Sequence, residues 1–260
     1  MYKTVIITGS ASGIGKGIAK HFFQEGYKLL LIDINEEQLK RSKEEITEGF
    51  SYENMVTYLA GDLTQKAFRE DIISFAEKKL GHLDVLINCA GIFPATPAFD
   101  ISEDEWDNVF DLNVKALFFL SIDFAKSAKN RELQANIVNI TSAASEVARP
   151  GVSHYCSSKA AVKMMTQVLA LELADFGIRV NAVGPGLVET ETLLKTLNNE
   201  KAKMEHKEKI SYSPLNRTAK TSEIAEVVSF VSSHKASYMT GQNILVDGGY
   251  SAGRVFKSFN

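Results

Sequence analysis

The chain has 260 residues, 45% of them hydrophobic and 23% charged, with a formal net charge of −3. That balance describes a globular protein with ample core and gives no reason to expect nucleic acid or an anionic membrane as a partner. No apolar run approaches the ~18 residues of a membrane span, and a strand pattern begins almost at Met1 without room for a leader, so a soluble, cytoplasmic protein is expected.

In chain order, short β-rich apolar runs predict strands at 4–8, 28–33, 55–60, 85–88, 137–141, 179–183 and 243–246. Helical periodicity fills most of the intervals, as with Ile224, Val227, Val228 and Val231 ahead of the last strand. Alternation of uninterrupted apolar strands with helices implies an α/β fold, a doubly wound parallel sheet in three layers with helices on both faces. No repeat or Pro/Gly-rich linker divides residues 1–260, so one domain is expected. Two stretches are apolar on more than one side: 108–128, with Leu117, Phe118, Phe119, Leu120, Ile122 and Phe124, and 157–176, with Met164, Met165, Val168, Leu169, Leu171 and Leu173. Helices of that kind are buried deeply or buried in a partner, which points to self-association. Residues 187–212 break the rhythm with the charged run KTLNNEKAKMEHKEKI. They read as a solvated helical excursion whose position suits a lid.

The first strand runs into TGSASGIG, which sets Gly9, Gly13 and Gly15 at a strand-to-helix turn. Glycine there allows a tight turn and close approach of backbone to a pyrophosphate seated on the helix N-terminus. Asp33 closes the second strand 24 residues after Gly9, where a carboxylate can accept from both ribose hydroxyls of an adenosine. Neither Ile34 nor Ser10, Ala11 and Ser12 offers a cation for a 2′-phosphate, so NAD is expected over NADP. Further along, Tyr155 and Lys159 stand four apart in YCSSK and share one helix face. An ammonium beside a phenol favours the phenolate; reaching neutrality from ~10 requires roughly 4 kcal/mol of differential stabilisation. Such a tyrosine exchanges protons with an alcohol or carbonyl at pH 7. The only cysteines, Cys89 and Cys156, are far apart without ligand neighbours, so free thiols in a reducing compartment and no metal site are expected.

In order along nearly the whole chain stand TGSASGIG, Asp62 before Leu63, NCAG at 88–91, Asn113 in DLNV, Ser142 in NITS, the Tyr155–Lys159 pair and RVNAVGPG. With this set the chain resembles the short-chain dehydrogenase/reductase family, whose fold is of the Rossmann type. The resemblance implies that Tyr155 is the general acid/base and that Lys159 depresses its pKa and holds the nicotinamide ribose. Ser142 would hydrogen-bond the substrate oxygen, and Asn113 would organise a water in a proton relay. The dinucleotide would lie on Gly9, Ser12, Gly13, Ile14 and Gly15, with Asp33 at the ribose and Asp62 and Leu63 at the adenine. Asn88, Ala90 and Gly91 would stabilise the sheet and line the adenosine. Pro185, Gly186, Val188 and Thr190 would meet the nicotinamide half. Cys89 stands where the family has asparagine, a change expected to be structural. His154 is expected at the rim or in packing, and Trp106 as an anchor of its helix.

Substrate identity lies in the loops: Phe93 after NCAG, and Ala144, Arg149 and Val152 between Ser142 and Tyr155. The expected activity is hydride transfer between NAD and a small secondary alcohol such as a polyol, sugar or hydroxy acid. Two other readings stay open, a 3-oxoacyl-thioester reductase serving an acyl carrier protein and a non-catalytic NAD-sensing regulator. A homodimer through the apolar helices or a homotetramer is expected, with Phe256 and Phe259 of the RVFKSFN tail packing at an interface.

Overall fold

The computed structural model describes residues 3–50, 53–131 and 134–253; the tail with Phe256 and Phe259 lies outside them. Its elements are β1 (Thr4–Thr8), α1 (Gly13–Gln24), β2 (Lys28–Asp33), α2 (Glu36–Thr47), β3 (Val56–Ala60), α3 (Lys66–Leu80), β4 (Val85–Asn88), α4 (Glu103–Phe110), α5 (Leu117–Asn130) and β5 (Ala135–Ile140). There follow α6 (Ser153–Leu173), β6 (Ile178–Pro185), β7 (Val188–Glu189), α7 (Glu191–Thr196), α8 (Glu200–Ser211), β8 (Ala219–Lys220), α9 (Thr221–Ser232) and β9 (Asn243–Val246). Seven strands form one sheet in the order β3-β2-β1-β4-β5-β6-β9, parallel throughout. β7 and β8 make a separate two-stranded pair.

Period-two alternation explains the apolar runs. Val5 and Ile7 of β1 point to a core shared with Phe22 of α1, Leu39 of α2 and Ile224 and Val228 of α9. Ile6, between them, points to the opposite core with Ile72 of α3, Phe124 of α5 and Leu169 of α6. Both faces are covered, so each strand is apolar on both sides, as a buried parallel sheet requires. Polar side chains tie the centre together: Asn88 Nδ2 donates to Ser121 Oγ and to Asn139 Oδ1, each at 2.9 Å, and Asn139 Nδ2 donates to Thr166 Oγ1 at 2.9 Å. All four residues are buried, so each of these bonds spares a polar group from being left unpaired.

Two helices depart from the expected bounds, while the 187–212 excursion is helical and solvated as expected. The expected helix at 108–128 is broken: α4 starts earlier on a Ser102 cap, and a π-helical stretch, Asp111–Ala116, separates it from α5. α6 begins at Ser153, ahead of the expected 157, so Tyr155 sits in its first turn. Residues 187–212 form β7, α7 and α8, and neither of these helices buries a residue. The second apolar side of α5 and α6 is open to solvent, with Phe119 45%, Met164 59% and Leu171 82% exposed.

Phe124 is fully buried between α5 and the sheet. Phe124→Ala is expected to cost about 3–5 kcal/mol in urea unfolding followed by circular dichroism. Leu194→Ala, on exposed α7, is expected to cost no more than about 0.5 kcal/mol. Equal losses in the two would overturn this assignment of the core.

Candidate active site

The carboxyl ends of β1, β2, β4, β5 and β6 open onto a cleft of about 550 Å³. Its adenosine-side wall is the glycine-rich turn. Gly9 and Gly13 have φ of +66° and +56°, the left-handed region that glycine tolerates. A Cβ on Gly9 would stand 2.7 Å from Ala90 Cα, so the β1 and β4 turns meet backbone to backbone. α1 is capped differently from its neighbours. Asn35, Ser102, Thr190 and Asn199 each accept from an amide in the first turn of α2, α4, α7 and α8, whereas the Ser12 side chain caps nothing. No acidic residue stands in that first turn either. The start of α1 therefore keeps free N–H groups and an uncompensated positive dipole end, which fit a phosphate.

Asp33 lines the cleft at the end of β2, its carboxylate accepting from Ala11 N and from Asn35 N, both at 3.2 Å. The lining carries Asp33 and Asp62 and one cation, Lys159. Ser12, Ile14, Gly15, Leu63, Ala90, Gly91, Pro185, Gly186, Val188 and Thr190 line it as well, and the Thr190 side chain stands 3.6 Å from where a Gly13 Cβ would be. Asn88 does not line the cleft; it is spent on the buried bonds to Ser121 and Asn139.

Ser142, Tyr155 and Lys159 meet at the other end. Ser142 follows β5 and its Oγ accepts from Ala144 N at 3.1 Å. Lys159, buried, donates from Nζ to the Ile140 carbonyl at 2.9 Å and lies 5.7 Å from the Tyr155 ring centroid. Burial pushes the Lys159 ammonium down to about 8. The expected depression of Tyr155 is not what the chain alone produces. Burial raises its phenol above the ordinary value, outweighing the Ser142 hydrogen bond and the Arg149 charge that pull it down. The Lys159 ammonium is bound to the Ile140 carbonyl, which absorbs part of its effect.

Asn113, fully buried in the π-helical stretch, grips the loop after NCAG: Oδ1 accepts from Ile92 N at 2.9 Å, and Nδ2 donates to Ile92 O at 3.0 Å and to Ser158 Oγ at 3.2 Å. A π-bulge often re-aims side chains at functional sites, and here it turns Asn113 toward that loop. Cys89 is a free thiol whose pKa burial pushes up to about 12, so it stays protonated and inert, as its structural reading requires. His154 is fully buried and so packs inside rather than at the rim. Trp106 is 39% exposed and stacks on Phe110 of its own helix.

A second cavity of about 410 Å³ shares Ser142 and Gly186 with the cleft. Ala144 and Arg149 line it as expected; Phe93 lines the cleft and packs edge-on against Tyr155, and Arg149 lies 5.5 Å from the Phe93 ring. Val152 is buried at the start of α6 and lines neither space. Sequence reasoning missed Leu215, Asp247 and Tyr250 on the far wall. Asp247 directly follows β9, so the rule that sites lie beyond the carboxyl ends of parallel strands was the available signal.

A family model described as "Enoyl-(Acyl carrier protein) reductase" matches residues 9–251. The chain belongs to the short-chain dehydrogenase/reductase family, whose oxidoreductases use nicotinamide cofactors. It is 35% identical over 257 residues to a diacetyl reductase ((S)-acetoin forming) of Staphylococcus epidermidis, covering 96% of this chain and 98% of that one. A 3-oxoacyl-[acyl-carrier-protein] reductase of Thermotoga maritima is 36% identical (95% and 97% covered), and an NAD-dependent glycerol dehydrogenase of Listeria innocua 34% (96% and 94%). A solved short-chain dehydrogenase from Bacillus anthracis superposes with a TM-score of 0.88 at 30% identity, over 98% of both chains.

Because the folded pKa of Lys159 lies near 8, below the ordinary 10.5, the unfolded chain holds that proton more firmly. The resulting cost to folding is complete below pH 8 and is relieved as pH rises toward 10.5. Lys159→Met is therefore expected to stabilise the fold at pH 7 by about 1–3 kcal/mol, net of the lost Ile140 bond, and by less at pH 10. Urea unfolding at both pH values decides it; destabilisation at pH 7 would show that the buried ammonium costs nothing.

Proposed function

We propose that this chain is an NAD-dependent oxidoreductase that moves a hydride between a small secondary alcohol and NAD, with Tyr155 exchanging the hydroxyl proton. The observation that carries this reading is that Ser142, Tyr155 and Lys159 line the same cleft as the uncapped start of α1 and Asp33. NAD, when bound, supplies the carbon that accepts or gives the hydride. Gly9, Ser12, Gly13, Ile14 and Gly15 hold its pyrophosphate, Asp33 the adenosine ribose, and Asp62, Leu63, Ala90 and Gly91 the adenine side. Pro185, Gly186, Val188, Thr190 and Lys159 hold the nicotinamide half, and Asn88 supports the turn from inside the sheet. Among the described residues Lys159, beside Tyr155, is the one cation lining the cleft, so a 2′-phosphate next to the Asp33 carboxylate would be repelled.

Ser142 holds the substrate oxygen beside Tyr155 and stabilises its developing charge. Tyr155, protonated at neutral pH in the free chain, is set to donate to a carbonyl oxygen. Running in the alcohol direction demands additional positive charge near the phenol. Lys159 supplies part of it, and Asn113 orders a water that connects Lys159 to solvent. The substrate seats in the cavity next to Ser142, lined by Ala144 and Arg149, with the 187–212 segment as its lid and α8 the helix of that segment that reaches the cavity. The names of the staphylococcal and Listeria relatives, acting on a small diketone and on glycerol, support a small hydroxy or keto substrate. The exposed apolar sides of α5 and α6 suit pairing into a homodimer or homotetramer.

The likeness to the Thermotoga enzyme favours one second reading, reduction of 3-oxoacyl thioesters. A panel of polyols, sugars, hydroxy acids, diketones and 3-oxoacyl thioesters, assayed in both directions with NAD(H) and NADP(H), separates the two. Turnover of small alcohols or ketones that falls at least about 100-fold in Tyr155→Phe is expected. Turnover confined to thioesters would install the second reading, and NAD binding with no turnover would favour a sensor.

The same assay tests cofactor choice. A preference for NAD of about 100-fold, equivalent to ~3 kcal/mol, is expected, and Asp33→Ala combined with Ile34→Arg is expected to narrow it at least about tenfold. Equal use of NADP by the wild type would overturn the role given to Asp33.

A further inference from the structure

Immediately before Tyr155 is an imidazole that the mechanism above does not use. His154 is fully buried, its Nε2 donates to Glu105 Oε1 at 2.8 Å, and its Nδ1 is buried with no partner among the described residues. Such a ring is expensive to bury, and one carboxylate from another helix is all that holds it. That carboxylate is itself diverted from an ordinary task. Ser102 and Glu105 have the spacing of a capping box, and Ser102 Oγ does accept from Glu105 N at 3.1 Å. A reciprocal box would turn Glu105 back to the Ser102 amide; its carboxylate instead hydrogen-bonds His154 and the Thr96 side chain, and these bonds hold it below the usual carboxylate range.

Thr96 extends the connection. Its amide donates to the Gly151 carbonyl at 2.8 Å, just ahead of α6. It lies on the loop after NCAG, whose Phe93 packs on Tyr155 at 4.5 Å between ring centroids. Glu105 thus joins three pieces of chain around one side chain: α4, the Phe93 loop and the first turn of α6.

We propose that Glu105 and His154 are positioning residues for Tyr155, a partly buried clamp that fixes the first turn of α6 and the Phe93 loop together so that the phenol is presented to Ser142 at one depth. This rests on the catalytic role proposed for Tyr155. Neither residue touches the cleft: both act through the backbone that carries the tyrosine and through the ring packed against it. A neutral acceptor of the same shape should serve as well as the carboxylate, because geometry and not charge is what the clamp supplies.

The test compares Glu105→Ala, Glu105→Gln, His154→Leu and His154→Gln in the full chain, with kcat and KM on the best substrate of the panel. Melting temperature and the 13C ring signal of Tyr155, assigned with Tyr155→Phe, are measured alongside. Glu105→Ala and His154→Leu are expected to lower kcat about 10- to 100-fold with little change in KM for NAD, and to move the Tyr155 signal. Glu105→Gln is expected to restore kcat to within about threefold of wild type, the signature of a geometric role. The proposal is overturned if folded Glu105→Ala and His154→Leu keep wild-type kcat and an unmoved Tyr155 signal. It is equally overturned if Glu105→Gln is as impaired as Glu105→Ala. If the wild type turns over nothing, the proposed activity fails alone, and the Tyr155 signal still decides the clamp.

Discussion

The winding of the sheet reverses between β1 and β4, and the rest of the site depends on that reversal. Right-handed crossovers from β1 lead outward through α1 and α2 to one edge, while those from β4 lead through α5 and α6 to the other. The turns that follow β1 and β4 must part there, leaving a crevice beyond the strand ends. How close they come before parting is limited by side-chain size. Gly9 has to pass Ala90 at backbone distance, and Thr8 Oγ1 accepts from both Cys89 N and Ala90 N, at 3.0 and 3.1 Å. A larger residue at Gly9 would force the β1 and β4 turns apart and move both walls of the cleft.

Within that crevice the chain accepts an electrostatic cost. A buried ammonium and a buried phenol are both pushed toward their neutral forms, Lys159 down and Tyr155 up. Proximity in sequence suggested a mutual arrangement in which the cation wins. The fold shows why the outcome differs: an i, i+4 pair on a helix says nothing about desolvation, or about a carbonyl from β5 lying within reach of the ammonium.

The layers were legible because their signal is redundant. Val5, Ile6 and Ile7 could only belong to a strand covered on both sides, and the boundaries of β1, β2, β4 and β9 fall where the apolar runs end. The π-helical stretch was invisible, since inserting one residue into a turn leaves a continuous apolar pattern from Val109 to Phe124. The order of the motifs led to most of the cleft and to a sheet-stabilising Asn88, but not to the absence of Asn88 from the lining or to Val152 in the core. Those outcomes depend on which neighbour completes a hydrogen bond or fills a gap, information held by distant segments such as Ser121 and Asn139. His154 is of the same kind: next to the tyrosine in sequence, it is governed by a carboxylate 49 residues away.

Among the described residues the two cavities share Ser142 and Gly186 and otherwise draw on nearly separate parts of the chain. The cleft is walled by strand ends, whose positions the sheet fixes. The cavity is walled by Tyr212 and Leu215 after α8, by the Asp247–Tyr250 turn after β9, and by α8, which buries nothing. Its charges are not equivalent. Arg217 is bidentate with Glu223 at 2.6 and 2.7 Å, Glu208 accepts from Tyr212 Oη at 2.5 Å, and Asp247 is bound to the amides of Gly249 and Ser251. Arg149 lies over the Phe93 ring. Glu205 and Lys209 of α8 line the same space, so it presents charges of both signs. Because α8 buries no residue, its side chains over the cavity can change without disturbing the sheet.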